Sequence, residues 1–558
     1  MVRATFSGFN TALSALQANQ KRLDITGQNL SNMNTAGYTR QQLEASSLNY
    51  TNPVSHYSNG NETAVGFGVS MDRVSQIRDP YLDIQYRSQS ADCSYTNRLQ
   101  TALNSLSKVL DETTISGIRQ AFDDIQSTLT SMQDPAKVSD PIYESELRTK
   151  MQSVCNLFNQ ASRQISQAEQ NEFQRLTGEG SSEQGDVQKI NDILRQIGDL
   201  NVQIKRNQVA GHPSLELQDE RNLLLDELSG YIPVETRYYK DDAHSGNNAY
   251  DYDANGAVIG KKDWPDDLEV SMNYIDAQGK SQKLILVNGS DLGADGLTKN
   301  YGQLSMLKGD HQTAASVSDP ANISIKFEKA PSYQGNGQAA ADVYAELKGI
   351  HFEGGSLQAS LDMLQKTGTG NVINGSTAVD DVRGYQYYSG KLDQLASTFA
   401  KSMNDINNKG KNPKDQNLLS NSTDDSTTGI TAGNIGISKG WTSGTIHIST
   451  DGTNRTDTIL DMIAAMKDTK KLNGKTFADY MNNLSTQLAS DSSSNQTALK
   501  TGTTVLNSIQ DSRDSLSGVS LDEEATNMMA YVSAYNAASR LMTALDEVLN
   551  TLISNTGA

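Results

Sequence analysis

Apolar side chains recur at heptad intervals at both ends of the chain. Near the N-terminus, Phe9, Leu16, Leu23 and Leu30 fall seven residues apart. Phe6 and Leu13 open a neighbouring row, which Gln20 and Gly27 continue without apolar character. Near the C-terminus, Leu521, Met528, Tyr535, Met542 and Leu549 form one row, and Tyr531, Ala538, Leu545 and Leu552 form the next. A stripe of this kind predicts an amphipathic helix that buries its apolar face against a partner helix. Each large side chain covered there contributes roughly 1.5–3 kcal/mol. Ser520 and Glu523 read as a capping box opening the last helix. On spacing alone, two helices packed on an ordinary core would read the same way.

Between these ends the pattern alternates between helical and strand-like stretches. Helical periodicity covers 1–31, 81–111, 118–132, 140–176, 184–209, 214–230, 355–366, 382–408, 456–469 and 474 to the end. The stretch from about 237 to 352 carries alternating runs such as LEVSMNYI and KLILVN. Asn255-Gly256, Gln278-Gly279 and Asn288-Gly289 punctuate it, which predicts antiparallel hairpins. A second polar, strand-like insertion covers about 411–455. The expected fold is therefore multidomain and mainly α, a long helical bundle with terminal coiled-coil helices and inserted antiparallel β domains. The expected division is an N-terminal axial helix and turn (1–50), a first stalk part (51–236), an inserted β domain (237–354), a stalk return (355–410), a small β-rich insertion (411–455), a last stalk part (456–518) and a C-terminal axial helix (519–558).

Charge changes the picture at the termini. Residues 1–40 carry Arg3, Lys21, Arg22 and Arg40 against Asp24, a net of +3; residues 519–558 carry Arg540 against Asp522, Glu523, Glu524, Asp546 and Glu547, a net of −4. The two helices should attract one another. The whole chain, 558 residues with a net charge of −19, lacks the clustered Lys and Arg that nucleic acid requires. Its length predicts three or four domains. Hydrophobic residues make up 36%, so the core should be spread thin. No run of 18 apolar residues occurs, so no membrane span is expected. The first residues lack an apolar stretch and a cleavage site of the secretory kind.

Candidate chemistry is sparse. His56, His212, His244, His311, His351 and His447 are isolated, and no ligand pair at helical spacing appears. Gly-Lys-Ser at 279–281 and Gly-Lys-Thr at 474–476 lack the earlier glycine of a phosphate loop; Tyr274 and Thr469 stand there. Gly436 to Gly440 spells G-x-S-x-G around Ser438, but a polar turn follows instead of a helix carrying the nucleophile. Asp251, Asp253, Asn255 and Gly256 match the first half of a calcium loop, yet Lys262 occupies the position of the bidentate glutamate. A hairpin turn explains the same residues. Cys93 and Cys155 read as buried free thiols. No catalytic, cofactor or metal site is assigned, and no enzymatic activity is expected.

Longer runs carry a resemblance. QNLSNMNTAGYTRQ (28–41), with Gly37, Tyr38 and Arg40 at its end, resembles the signature of flagellar axial proteins. GFGVSMDRVSQIRDPYLDIQYR (66–87), LELQDERNLLLDELSGYIPVE (215–235), GKLDQLASTFAKSMNDINNKG (390–410), GITAGNIGIS (429–438) and SIQDSRDSLSGVSLDEEATNMMAYVSAYNAASRLM (508–542) are similar, in order, to segments of the FlgK family of hook-associated proteins. The resemblance implies a structural subunit of the bacterial flagellum at the hook–filament junction, exported by the flagellar type III apparatus. The implied partners are neighbouring copies, the hook protein, the next hook-associated protein and a FlgN-like export chaperone on the C-terminal helix, with neither nucleic acid nor membrane. The expected assembly interface comprises Phe9, Leu16, Leu23, Leu30, Asn32, Asn34, Gly37, Tyr38, Leu521, Met528, Tyr535, Met542, Leu545, Leu549 and Leu552. Asn29, Asn32, Asn34 and Gly37 suit a helix stop; by the resemblance they also form a sharp turn. Leu16, Leu23 and Leu30 are expected opposite Leu545, Leu549 and Leu552 in the assembly. Within one chain neither helix is expected to have a partner, so both ends should be mobile in a free subunit. A hook-protein-like axial subunit, or a surface adhesin using the β inserts, would be the other readings.

Overall fold

In the computed structural model, helix boundaries follow local signals closely. The described residues are 2–556 apart from 49–67, 111, 139, 241–249, 253–257, 262–265, 276–279, 291–298, 311–312, 329–353, 369–371, 374–375, 378–381, 410–415 and 451–452. The helices are α1 (Val2–Ser31), α2 (Pro80–Val109), α3 (Glu112–Ser131), α4 (Pro135–Val138), α5 (Pro141–Thr177), α6 (Asp186–Val209), α7 (Leu215–Tyr231), α8 (Ser356–Gln365), α9 (Tyr385–Asn407), α10 (Lys439–Ser443), α11 (Asp457–Met466), α12 (Phe477–Ser517) and α13 (Leu521–Thr556). Asp79 and Asp140 accept from the N–H groups of Tyr81 and Ile142, each at 2.9 Å, ahead of Pro80 and Pro141. A proline at the first helical position loses no bond there and has its φ already set. Gly178 closes α5 at φ 75°, where a side chain would be strained.

The strands make small antiparallel sheets. β1 (Gln41–Ser47) pairs with β2 (Val69–Gln76) beside α1. β3 (Glu235–Lys240), β4 (Tyr250–Tyr252), β5 (Val258–Lys261), β6 (Asp266–Ile275), β7 (Ser281–Asn288), β8 (Gln303–Lys308) and β9 (Ile323–Glu328) fill the long insertion. They form a three-stranded sheet in the order β3-β6-β7 and the pairs β4-β5 and β8-β9. β10 (Val372–Ile373) pairs with β11 (Ser376–Thr377), and β12 (Leu419–Asn421) with β13 (Ile435–Ile437). The protein is thus mainly α and multidomain in layout, with antiparallel β insertions. The β1–β2 hairpin was not expected, and neither was α10 within a stretch read as strand-like.

One continuous hydrophobic core runs from Leu99 to Leu488 in sequence. Phe122, Phe158, Phe399 and Phe477 meet at its centre, from α3, α5, α9 and α12, with ring centroids 5.2–6.0 Å apart. Buried beside it, the Arg98 guanidinium pairs with the Glu172 carboxylate, its Nε donating at 2.8 Å, and with Ser360 at 3.2 Å. Cys93 and Cys155 are both buried and unpaired, and burial pushes the Cys155 thiol up to about 12. Among the described residues, none of α1 or α13 belongs to this core.

Candidate functional site

The two terminal helices lie against each other within one chain. The expectation that neither has a partner inside a single subunit is corrected accordingly. They run antiparallel: Gly8 sits against the side chain of Leu545, and the Arg22 guanidinium lies 5.6 Å from the Tyr531 ring centre. At about 1.5 Å rise per residue, Leu23 is roughly 20 Å along the pair from Leu545. Within one chain, therefore, Leu23 and Leu30 do not meet Leu545, Leu549 or Leu552.

The seam is only partly covered. Phe9, Leu16, Leu23 and Leu30 are half-buried, as are Met528, Tyr531, Met542, Leu545 and Leu549. Ala538 is buried, whereas Leu521, Tyr535 and Leu552 stay exposed. Beyond the seam, α13 presents Met529 (65% exposed), Val532, Leu541, Val548 and Ile553 (61%) to solvent. Two helices alone cannot cover an apolar face wider than the heptad seam. The large uncovered side chains on α13 are the feature that sets this helix apart from those of the core.

A turn reverses the chain after α1. Asn32 Nδ2 donates to the Gln28 carbonyl at 3.0 Å, and its Oδ1 accepts from Thr35 at 3.3 Å. Asn34 is exposed, and Gly37 adopts φ 77°, in the left-handed region. Tyr38 donates its hydroxyl to Asn29 Oδ1 at 2.9 Å. Asn29 also exchanges two hydrogen bonds of 3.0 Å with the Gln41 backbone, pinning the start of β1 onto α1. Burial raises the Tyr38 phenol pKa, with Asp219, Glu216 and Glu524 adding to it. Arg40 then reaches both acids opening α13, Glu523 at 2.6 Å and Glu524 at 2.9 Å. The Glu523 carboxylate is thereby committed to Arg40, in place of the capping-box contact expected with Ser520. Three acids in the first turn of α13 also suit the positive end of the helix dipole.

The next layer is α7, which was not assigned a role from sequence. Its Asp219 accepts from the Thr39 N–H at 3.0 Å and from the Thr39 hydroxyl at 2.6 Å, with Arg78 at 3.8 Å. Burial raises this carboxyl to about 6, against the lowering effect of the Thr39 bonds and the Arg78 charge. About two turns on, Asp226 takes Arg87 of α2 at 2.8 Å and Arg513 of α12 at 2.7 Å. Arg513 also reaches Asp83 at 3.1 Å and lies 4.3 Å from the centre of the Tyr86 ring. A cleft of about 760 Å³ opens here between the turn, α7 and the end of α12, lined in part by Met33, Gly37, Leu223, Gln510 and Ser517. The sequence signal was the Asp219-x-Arg221 pair in an otherwise leucine-rich helix; nothing local pointed to Thr39 or Arg78.

The remaining candidates are structural where they are described. Ser438 caps α10, donating to the Asn417 carbonyl at 2.6 Å and accepting from the Trp441 N–H at 3.2 Å. His447 faces Glu144 at 3.2 Å, while the other oxygen of Glu144 takes the Trp441 indole at 2.8 Å. Asp253, Asn255, Gly256 and Lys262 of the calcium-like loop, and His56, His244, His311 and His351, lie outside the described residues. Among the described residues, no group of three or more His, Cys, Asp or Glu could hold a metal ion, and no helix is long and apolar enough to cross a membrane.

Comparison with known proteins divides the chain in a similar way. The family described as "Flagellar hook-associated protein FlgK helical domain" matches residues 103–418. Residues 9–39 match the "Flagella basal body rod protein" family, and 512–555 match "Flagellar basal body rod FlgEFG protein C-terminal". These two stretches contain most of α1 with its turn and nearly all of α13. Flagellar hook-associated protein 1 of Bacillus subtilis is 28% identical over 568 aligned residues, covering 99% of each chain. The protein of the same name from Salmonella typhimurium is 29% identical over 230 residues, 40% of this chain and 38% of that one. A solved structure, "the flagellar hook junction protein FlgK from Burkholderia pseudomallei", aligns at 18% identity with a TM-score of 0.36, over 61% of this chain and 45% of that chain.

Proposed function

The chain belongs to the FlgK family of flagellar hook-associated proteins, whose helical domain matches more than half of it, and from that premise we propose that it is a structural subunit of the hook–filament junction that assembles through its paired terminal helices. The observation that carries this reading is α13, which spends its seam on α1 and still exposes Met529, Val532, Leu541 and Val548. These side chains fall on both flanks of the seam, and large apolar side chains left exposed on an isolated subunit mark contacts with other chains. Neighbouring copies of the same helix pair are the proposed partners, with the hook protein on one side and the next hook-associated protein on the other. Before export, the same face suits a groove on a FlgN-like chaperone, bound as a helix by its spaced apolar anchors. The proposed location is the flagellum, reached through the type III apparatus. The proposed division of the chain keeps the insertions at 237–354 and 411–455 outside the axial part, and groups β2 with α1, α13 and β1 in a terminal unit.

The test is replacement of the gene by Leu23→Asp or Leu545→Asp variants. Each should leave the core folded but block incorporation, so that flagellin is lost to the medium and cells do not swim. Deleting 519–558 should abolish the chaperone complex. Normal swimming by both variants, with the protein present at wild-type level, would refute the assembly role.

A further inference from the structure

We propose that the unit formed by α1, α13, β1 and β2 is a lever that docks on α7 through a releasable polar clasp centred on Asp219. The contacts between the unit and α7 are polar almost throughout. Asp219 holds both the N–H and the hydroxyl of Thr39, Glu216 takes the Gln41 amide at 3.4 Å, and the Leu215 carbonyl takes the Gln76 amide at 2.9 Å. Leu223 lies against Gly37, but it is 47% exposed. Among the described residues, no side chain of the unit enters the continuous core. The interface therefore lacks the burial that makes packed helices hard to separate.

Room and joints for movement are present. The 760 Å³ cleft lies between the two bodies, lined by Tyr38, Thr39 and Arg40 on one wall and by Asn222, Asp226 and Arg513 on the other. The chain crosses between them at the 77–79 link and at Gly518, which breaks α12 from α13, while the left-handed Gly37 turns the chain within the unit. On the stalk side, Asp226 keeps Arg87 and Arg513 tied together, so α2, α7 and α12 stay joined when the clasp opens. Burying an Asp219 carboxylate whose charge is only partly offset keeps the docked state shallow. Asp219 is a positioning residue here: it sets the angle of the axial helices to the stalk, whatever those helices bind.

Paired spin labels test this on the full chain. One label goes on exposed Ser533→Cys of α13 and one on exposed Gln203→Cys of α6; a control pair within the body uses Gln203→Cys and Asn482→Cys. The buried Cys93 and Cys155 are replaced by Ala. In the otherwise native chain the lever distance should be narrowly distributed. Asp219→Ala should at least double its width, while Asp219→Asn, which keeps one acceptor for the Thr39 N–H and can donate its NH2 to the Thr39 hydroxyl oxygen, should leave it narrow. The control pair should not change in either variant. An Asp219→Ala distribution as narrow as the parent's would overturn the proposal. So would equal broadening of both pairs, because Asp219 would then support the fold at large and not the docking of the lever. The result is independent of the assembly role proposed above, since it is read on single subunits.

Discussion

The body between Leu99 and Leu488 and the terminal pair α1–α13 use similar amphipathic helices and finish them differently. In the body the main apolar faces meet one another: Phe122, Phe158, Phe399 and Phe477 touch across four helices, and the deeply buried Arg98 and Glu172 pair with each other. In the terminal pair only a narrow seam is covered, and the widest apolar side chains of α13 face water. The two regions store free energy in different places. The body's burial stabilises the isolated subunit, whereas the burial available to α13 is still to be gained, from another chain.

Substitutions at the same chemical scale should therefore part company between the two regions. Phe122→Ala or Phe399→Ala removes a fully buried ring and should lower unfolding stability by about 3–5 kcal/mol in urea titration. Met542→Ala on the half-covered seam should cost about 1 kcal/mol or less in the same titration. Equal losses at the two sites would erase the distinction. Arg98→Ala leaves the Glu172 carboxylate buried without its partner, and a loss of about 3–5 kcal/mol is expected. Arg40→Ala leaves Glu524, whose side chain is 3% exposed, buried without its partner, and should cost about 3 kcal/mol, the contact with solvent-exposed Glu523 adding little.

The docking of the terminal unit should respond to pH with a definite sign. The Asp219 carboxyl is raised to about 6 in the folded chain, against about 3.9 in an unfolded one. Between those values the folded chain binds the extra proton, so stability rises as pH falls from about 7 to 4 and is lost as pH rises through 6. The contribution is at most about 3 kcal/mol. Stability profiles of the parent and Asp219→Asn should diverge as pH rises from about 4 to 7 and run parallel above it, the Asn variant being the flatter. The same slope in both would remove Asp219 from this role.

Much of this architecture was legible in the chain. The starts of α2 and α5 were marked by Asp-Pro pairs and their faces by apolar spacing, so boundaries fell within a few residues. The β1–β2 hairpin was not legible: QQLEASS holds a single large apolar side chain, and the strands are held by α1 through Asn29 and Ser14 instead of by a patterned face. α10 is too short to show a period and exists because Ser438 caps it and Trp441 anchors it. At the terminal unit, the heptads were visible, but the choice of partners was not. Thr39 finds Asp219 across 180 residues and Arg40 finds Glu524 across 484, separations over which a local pattern carries no information.

On this reading, α13 keeps large apolar side chains free of the subunit's own fold for use between subunits. A chain carrying Val532→Asp together with Val548→Asp tests it most directly, because both side chains are exposed in the single chain. The isolated variant should match the parent in helix content and in its urea midpoint, and cells producing it should lack attached filaments. Filaments of normal number and length would contradict the claim, as would an isolated variant that unfolds.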